Sequence, residues 1–432
     1  MLAPTALATV DDVARVAIVE GYNSNTYQAQ DDPNLPVIER HPSPFTGVDA
    51  DVELRFLGRD TDLTTINVEG RVDHYEPLQK ENQSDDGAVN LALASTMALG
   101  PRTMLQLRNT TSAASFNAAH VTDGTIFAFD PTLVRSSYWL EDLSASIVQQ
   151  LSRTWRLTQS VGGMASGTIS SAPTQTASGE LIEHRGLDYL MPYAETDLLK
   201  ELSPRASGDL TLLYQYAYQL YVYDFTQTPP RYIGPDKQAF LTGLAGYAYH
   251  FSPEISAVAR AGGVLSSAPP RDIDQRPILA PAALGEFYWT RPFFSLVATA
   301  GYAWGTVNPR LGEGPTASGS VLAIGTPRPI GAWKNLALVA TGQFEYSQLI
   351  TGVNESTKLG LYAAGVQVRY GLNRWLGLLA GFDGRYATFS TPGTYQPPFL
   401  QTVVFFGLSG YWSTDRAQFP LTTFAAPITP PT

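Results

Sequence analysis

Cysteine is missing altogether from the 432 residues, there are five histidines, and 28 basic side chains are outnumbered by 39 acidic ones. The missing thiols exclude a disulfide-stapled scaffold, a thiolate metal site and a cysteine nucleophile, and they suit an oxidising envelope compartment. No apolar run reaches the roughly 18 residues that a membrane-crossing helix needs. No basic patch or stripe is present, and a formal charge of -11 argues against nucleic acid as a partner. Also lacking are a GxSxG elbow, an HExxH pair, a phosphate-binding glycine loop and any Cys/His cluster. The expectation is therefore a non-enzymatic protein without cofactor or metal. His41, His74, His120, His184 and His250 are scattered over loops and strand ends. His74, flanked by Asp73 and Glu76, is the nearest approach to an acid/base pair, as on barrel proteases with a catalytic rim; a solvated rim histidine explains it more simply. Met1 to Val10 is apolar but lacks a basic n-region and a full h-region, and reads as a mature terminus whose signal peptide has been removed.

What the chain does have is alternation with period two. Asp49, Asp51, Glu53 and Arg55 interleave with Val48, Ala50, Val52, Leu54 and Phe56, so one strand face is charged and the other apolar. Leu210, Leu212, Tyr214, Tyr216, Tyr218 and Leu220 repeat the pattern against Asp209, Thr211, Gln215 and Gln219. Segments of this kind recur about eighteen times, from 13–27, 46–57 and 62–75 through to 375–389 and 399–412, most of them ten or more residues long. Serial long strands of this kind predict an all-β fold, a closed antiparallel transmembrane barrel. Connections such as Gly100 to Arg102, Ser152 to Arg153, Arg291 to Pro292 and Gly371 to Arg374 are short, whereas Glu76 to Gly87, Ser166 to His184 and Ser266 to Leu279 are long and polar. Short periplasmic turns and long outer loops are the barrel signature, and an even strand count then puts both termini in the periplasm. Trp139, Trp155, Trp289, Trp304, Trp333, Trp375 and Trp412 fall near strand ends, at the depth where indoles are most stable. The domain reading is a periplasmic segment 1–12, the barrel 13–412 and a proline-containing periplasmic tail 413–432.

Eighteen strands make a ring too wide for side chains to close, so the interior should hold water or a plug. No plug domain is evident, although the stretches Ala113 to Arg135 and Ala165 to His184 are long enough to fold inward as constrictions. Candidates for the lumen are Asp49, Asp51, Glu53 and Arg55, with Asn67, Glu69, Arg71 and Asp73 set beside them by the hairpin across Gly58 to Asp60. Two neighbouring carboxylates, about 6.7 Å apart along the strand, could share a cation, but a mixed-charge wall with Arg55 and Arg71 offsetting the acids is the expected product. Tyr189 and Tyr193, with Glu195 and Asp197, and Tyr221 beside Gln215 and Gln219, place rings among polar groups as a pyranose face requires; as ordinary girdle tyrosines they would instead face lipid.

Gly21-Tyr22-Asn23-Ser24-Asn25-Thr26-Tyr27, followed by an acidic loop and a long β series, resembles the outer-membrane β-barrel proteins found with exopolysaccharide gene clusters, related to the β-barrel porins of type 2. A subset with about eighteen strands serves as the outer-membrane conduit of Wzx/Wzy-type secretion, together with a short polysaccharide-export protein that lacks its own membrane-spanning part. That resemblance implies a bacterial outer-membrane channel for a polysaccharide, partnered by a periplasmic export protein, and assigns no functional residue. Partners implied by a barrel as such are the lipid bilayer, lipopolysaccharide and the barrel assembly machinery. That machinery reads a terminal aromatic, a role for Trp412 with Phe406, or for Phe419 and Phe424, since Ser413 to Thr432 continues beyond the last strand. A general diffusion porin, and a structural or adhesive barrel, are the alternatives.

Overall fold

A computed structural model describes residues 9–24, 43–58, 62–75, 85–115, 137–170, 174–175, 181–182, 186–224, 231–267, 277–308, 312–326, 335–349, 356–373, 375–390 and 398–413. The strands in chain order are β1 (Thr9–Asn23), β2 (Ser43–Leu57), β3 (Leu63–Tyr75), β4 (Asp85–Gly100), β5 (Thr103–Ser115), β6 (Ser137–Gln150), β7 (Trp155–Ser170), β8 (Thr174–Gln175), β9 (Leu181–Ile182) and β10 (Gly186–Ser203). They continue as β11 (Ala206–Asp224), β12 (Arg231–Ser252), β13 (Ile255–Ser266), β14 (Ile278–Arg291), β15 (Phe294–Asn308), β16 (Gly312–Gly325), β17 (Leu336–Gln348), β18 (Lys358–Gly371), β19 (Leu376–Ser390) and β20 (Phe399–Ser413). Eighteen of them form one antiparallel sheet, and β8 with β9 forms a separate two-stranded hairpin between β7 and β10. Each barrel strand pairs with its chain neighbours, and β1 also pairs with β20 from Val13 opposite Ser413 to Asn23 opposite Val403. The sheet is therefore closed. Closure matters in lipid, where every backbone N–H and C=O must find a partner within the protein.

Strand positions follow the alternation, with shifts that pairing explains. β1 begins at Thr9 rather than at residue 13, because Thr9 to Asp12 continue the ladder opposite Leu57 to Leu54. β12 begins at Arg231, well before the expected 238, because β11 runs to Asp224 and supplies a partner across a bulged register. A hairpin within the Ala165 to His184 stretch has no counterpart in the alternation, being only two residues per strand. Most of the Ala113 to Arg135 stretch lies outside the described residues.

One rim is built of tight turns. Four of them have two residues, and all four begin with proline: Pro101–Arg102, Pro204–Arg205, Pro253–Glu254 and Pro292–Phe293. Proline's fixed φ suits the first central position of a β-turn, where no N–H is needed by the ladder. Ser203 and Ser252 tie two of these turns, their hydroxyls accepting from Arg205 N (3.3 Å) and Glu254 N (3.2 Å). Asn373 closes another by accepting from Trp375 N and Leu376 N at 2.8 and 3.0 Å. The opposite rim carries the longer connections, with one exchange: β15 and β16 are joined there by 309–311, whereas β16 and β17 are joined at the tight-turn rim by 326–335.

The two faces of the sheet are unlike. Val16, Ile18, Val48, Val52, Val68 and Val72 on β1 to β3 are exposed, as are Leu210, Leu212 and Tyr214 on β11 and Val404, Phe406 and Leu408 on β20; Phe406 is 64 % exposed. The alternate residues, among them Arg15, Ala17, Asp51, Asp73 and Gln219, are buried. A soluble protein does not present a continuous belt of exposed valine, leucine and phenylalanine. A lipid bilayer solvates it. Tryptophans mark one border of the belt: Trp155, Trp289, Trp375 and Trp412 all lie at the tight-turn rim, with the Trp375 and Trp412 rings 5.9 Å apart. Trp304 breaks the pattern: it has the strand parity of Tyr302, which is exposed, yet is only 8 % exposed and packs in a cluster with Ala280, Ala282 and Val264. Trp333 lies outside the described residues.

Candidate functional site: the inner wall of the barrel

Which face is concave follows from contacts between strands that are not neighbours. The Arg71 guanidinium on β3 lies 5.9 Å from the Phe405 ring on β20, with β1 and β2 between those strands. Asn23 Nδ2 on β1 donates to the Tyr75 hydroxyl on β3 at 3.4 Å. Side chains converge this way only on the inside of a curved sheet. All the other residues that share this face by direct cross-strand pairing are therefore inward.

The β2–β3 register sets Asp49 opposite Arg71, Asp51 opposite Glu69, Glu53 opposite Asn67 and Gly47 opposite Asp73. The hairpin thus brings Asp49, Asp51, Glu53, Arg55, Asn67, Glu69, Arg71 and Asp73 onto one patch of the inner wall. Arg71 Nε binds Asp73 at 2.9 Å, with Asp73 wholly buried, and Arg55 pairs with Glu53. Two cations complete this patch that alternation alone did not single out. Arg15 on β1 binds Asp49 at 2.6 Å and stands opposite Asp51, and Arg369 on β18 reaches both Asp49 and Asp51 electrostatically. Arg15 escapes notice because it sits in the apolar run Val13-Ala14-Arg15-Val16; its odd parity with Ala17 and Val19 is the only local signal.

Beside these charges, the Phe45 ring fills the space left by Gly21, the residue opposite it on β1. Ala17, Val19, Phe45, Tyr75, Leu379, Val403 and Phe405 form a compact apolar cluster there, with Arg71 5.8 Å from the Phe45 ring centre.

A second polar region lies across β6, β7, β10, β11, β13 and β14. Tyr193 pairs with Gln215 on β11 and with Gly162 on β7, where an added Cβ would come within 2.5 Å of its ring. Its hydroxyl donates to Asp142 at 3.4 Å. Thr211 donates to Asp197 at 2.5 Å, and Glu195 lies two residues along the same face. Arg260 joins two more acids, Asp209 at 2.7 Å and Glu286 at 3.0 Å, and Tyr288 donates to Glu286 at 2.6 Å. Tyr189 pairs with Gln219 and packs in an apolar cluster with Ala217, Phe240, Val264, Ala280, Ala282 and Trp304. The side chain of Tyr221 lies outside the described residues.

His74 does not come together with Asp73 as an acid/base pair. It shares β3 with Asp73, but neighbours on a strand point to opposite faces, so His74 is exposed on the outside while Asp73 is inside against Arg71. Glu76 lies outside the described residues. Among the described residues no group of three or more His, Asp and Glu is arranged to hold a metal.

Among the described residues some ionisable side chains face outward, among them Glu20 on β1, which accepts from Thr46 Oγ1 at 3.0 Å, and Glu141 on β6. Glu141 on β6 has the parity of Leu143 and Ile147, both exposed, and it accepts from Asn109 Nδ2 at 3.2 Å while Thr111 donates to Asn109 Oδ1 at 3.1 Å. Hydrogen bonding of this kind shields a carboxylate at the edge of lipid.

A closed barrel with an apolar outer belt, an aromatic border and a charged inner wall is a transmembrane barrel of the bacterial outer-membrane type. No family model and no curated protein matches the chain. Solved structures similar to it include the siderophore receptor PiuA from Acinetobacter baumannii, 9 % identical with 93 % of this chain and 82 % of that one aligned at a TM-score of 0.44. Others are Pseudomonas aeruginosa OccK2 (OpdF) in complex with glucuronate, 10 % identical over 94 % and 98 % at 0.43, and the P. aeruginosa outer membrane protein opdK, 11 % identical over 93 % and 99 % at 0.38. The class rests on the closed ladder and the belt rather than on these likenesses.

Proposed function

We propose that this barrel is a non-enzymatic channel of the bacterial outer membrane and that its cargo is a secreted polysaccharide, delivered by a periplasmic polysaccharide-export protein. The observation that carries the channel is an eighteen-stranded ring whose inner wall bears ionisable groups, amides, hydroxyls and rings on every flank. A ring of this size holds more than side chains, and such a wall is wettable. Dispersed hydroxyls, amides and rings let a sugar chain slide without a deep trap, because single weak contacts are exchanged along the path. In this reading Asp49, Asp51, Glu53, Arg55, Asn67, Glu69, Arg71 and Asp73 line one side of the conduit and Tyr189, Tyr193, Gln215, Gln219 and Tyr221 the other. In this reading the chain before β1 and the tail after β20 are on the periplasmic side, and the export protein meets the tight-turn rim or the tail.

Deleting the gene should abolish one surface glycan and leave the uptake of small solutes unchanged. The alternating Arg and Asp/Glu ladder around Arg15 and Arg71 favours one competing reading, a general diffusion porin, because fixed charge pairs sort small ions. Normal surface glycan with slowed nutrient entry in the deletion strain would establish the porin instead.

A further inference from the structure

Charge is unevenly spread along the tight-turn rim. Three turns there, between β4 and β5, β6 and β7, and β10 and β11, each carry an arginine: Arg102, Arg153 and Arg205. Because β7 and β10 are neighbours in the sheet, these turns follow one another along the rim, two strand spacings or about 10 Å apart. Lys200 on β10 joins them. It stands opposite Trp155, with its ammonium 5.0 Å from the centre of that ring, and it has the outward parity of Leu190. All four cations are exposed, and among the described residues no carboxylate pairs with any of them. Arg291, farther round the rim, is by contrast taken up by Glu254 at 3.0 Å. Glu201 follows Lys200 in the chain but has the inward parity of Asp197, and Asp62, at the near end of the arc, accepts from Ala98 N at 2.9 Å.

A leucine precedes each of the three arginines by two or three residues. Leu99, Leu151 and Leu202 are 60 %, 51 % and 53 % exposed, so each turn presents a large apolar side chain and, just beyond it, a cation. The boundary of a lipid leaflet has the complementary layers: acyl chains, then phosphodiesters, with indoles most stable between them. Trp155 fixes that depth on this arc. The Lys200 stem lies beside its ring and carries the ammonium outward to headgroup level. A zwitterionic headgroup brings its own cation to its phosphate, whereas an anionic one leaves a net charge that four unpaired cations can meet. An acidic protein surface would match the cations but not the repeated leucines beneath them.

We propose that the arc of Arg102, Arg153, Lys200 and Arg205 binds anionic phospholipid headgroups in the leaflet that meets the tight-turn rim. This goes beyond the polysaccharide reading and does not depend on the cargo. The experiment is native mass spectrometry of the purified full-length barrel, titrated in detergent with phosphatidylglycerol or with phosphatidylcholine of the same acyl chains. Phosphatidylglycerol should bind more tightly, by about fivefold for each cation engaged. The triple variant Arg102→Gln, Arg153→Gln and Arg205→Gln should lose most of that preference, whereas Lys237→Gln, at the opposite rim, should keep it. Circular dichroism checks that each variant folds into strands. Equal binding of the two lipids by the wild type, or a preference that the triple variant keeps in full, overturns the proposal. Loss of a surface glycan in cells carrying the triple variant, with no lipid preference in the wild type, would also overturn it and assign the arc to an acidic periplasmic protein. A lipid preference that the triple variant loses, in a barrel whose gene deletion leaves every surface glycan intact, upholds the arc and removes only the export reading.

Discussion

Removing the guanidinium of Arg15 tests the charged wall most directly. Its Nη2 is 2.6 Å from Asp49 Oδ2, with the two side chains 4 % and 14 % exposed, and Asp51 stands directly opposite it, also 4 % exposed. Two cations, Arg15 and Arg369, act on Asp51. Arg15→Met keeps the length of the side chain and deletes the charge, leaving Asp49 and Asp51 to share Arg369. Breaking a buried pair by removing one partner costs about 3–5 kcal/mol, and because this wall borders a wet lumen the lower end applies, about 3 kcal/mol. The double variant Arg15→Met with Asp49→Asn removes both members, so the uncompensated carboxylate disappears and the cost should fall to about 1–2 kcal/mol. Unfolding in urea of barrels refolded into lipid vesicles, followed by tryptophan fluorescence, measures both. The same single variant deletes one positive charge from the wall, so the reversal potential in a salt gradient should move toward cation selectivity and return in the double variant. A loss below about 1 kcal/mol together with an unmoved reversal potential would refute the buried charge cluster.

Three further outcomes are expected. Arginine placed outward at Leu212 on β11 should destabilise the barrel by about 2–4 kcal/mol, whereas Gln215→Arg, on the same strand but the opposite face, should fold normally and change ion selectivity; the opposite order of effects on folding would mean the faces are reversed. Glu141→Leu should raise the unfolding free energy by about 1 kcal/mol in vesicles, since a carboxylate leaves the edge of the lipid belt, and a large loss would show that the Asn109–Glu141 contact holds the strands together. Because the chain has no cysteine, a single Ser84→Cys variant should react with an impermeant maleimide on intact cells and an Arg374→Cys variant should not; the reverse result would invert the barrel in the membrane.

Local pattern and global geometry contributed differently to what is known of this molecule. Period-two alternation is a property of each strand by itself, so the residues around Asp49 to Phe56 and Leu210 to Leu220 show which side chains share a face before any partner is known. Turn chemistry is equally local: proline at the start of four two-residue connections marks one rim and makes the strand count readable. With alternation and turns came the closed barrel and the placing of Asn67, Glu69, Arg71 and Asp73 beside the acids of β2, while the register that sets Asp49 opposite Arg71 came from the pairing itself. Contacts between distant segments carried no such signal. Arg15 belongs with Asp49 only because β1 pairs with β2 across the gap 24–42, and Arg369 belongs with them only because closure through β20 curves the wall inward. Trp304 shows the limit most plainly. Its place near a strand end reads as a membrane border, yet it is buried with Tyr189 and Phe240, because the surroundings of a side chain in a wide ring are set by the register and curvature of strands far away in the sequence.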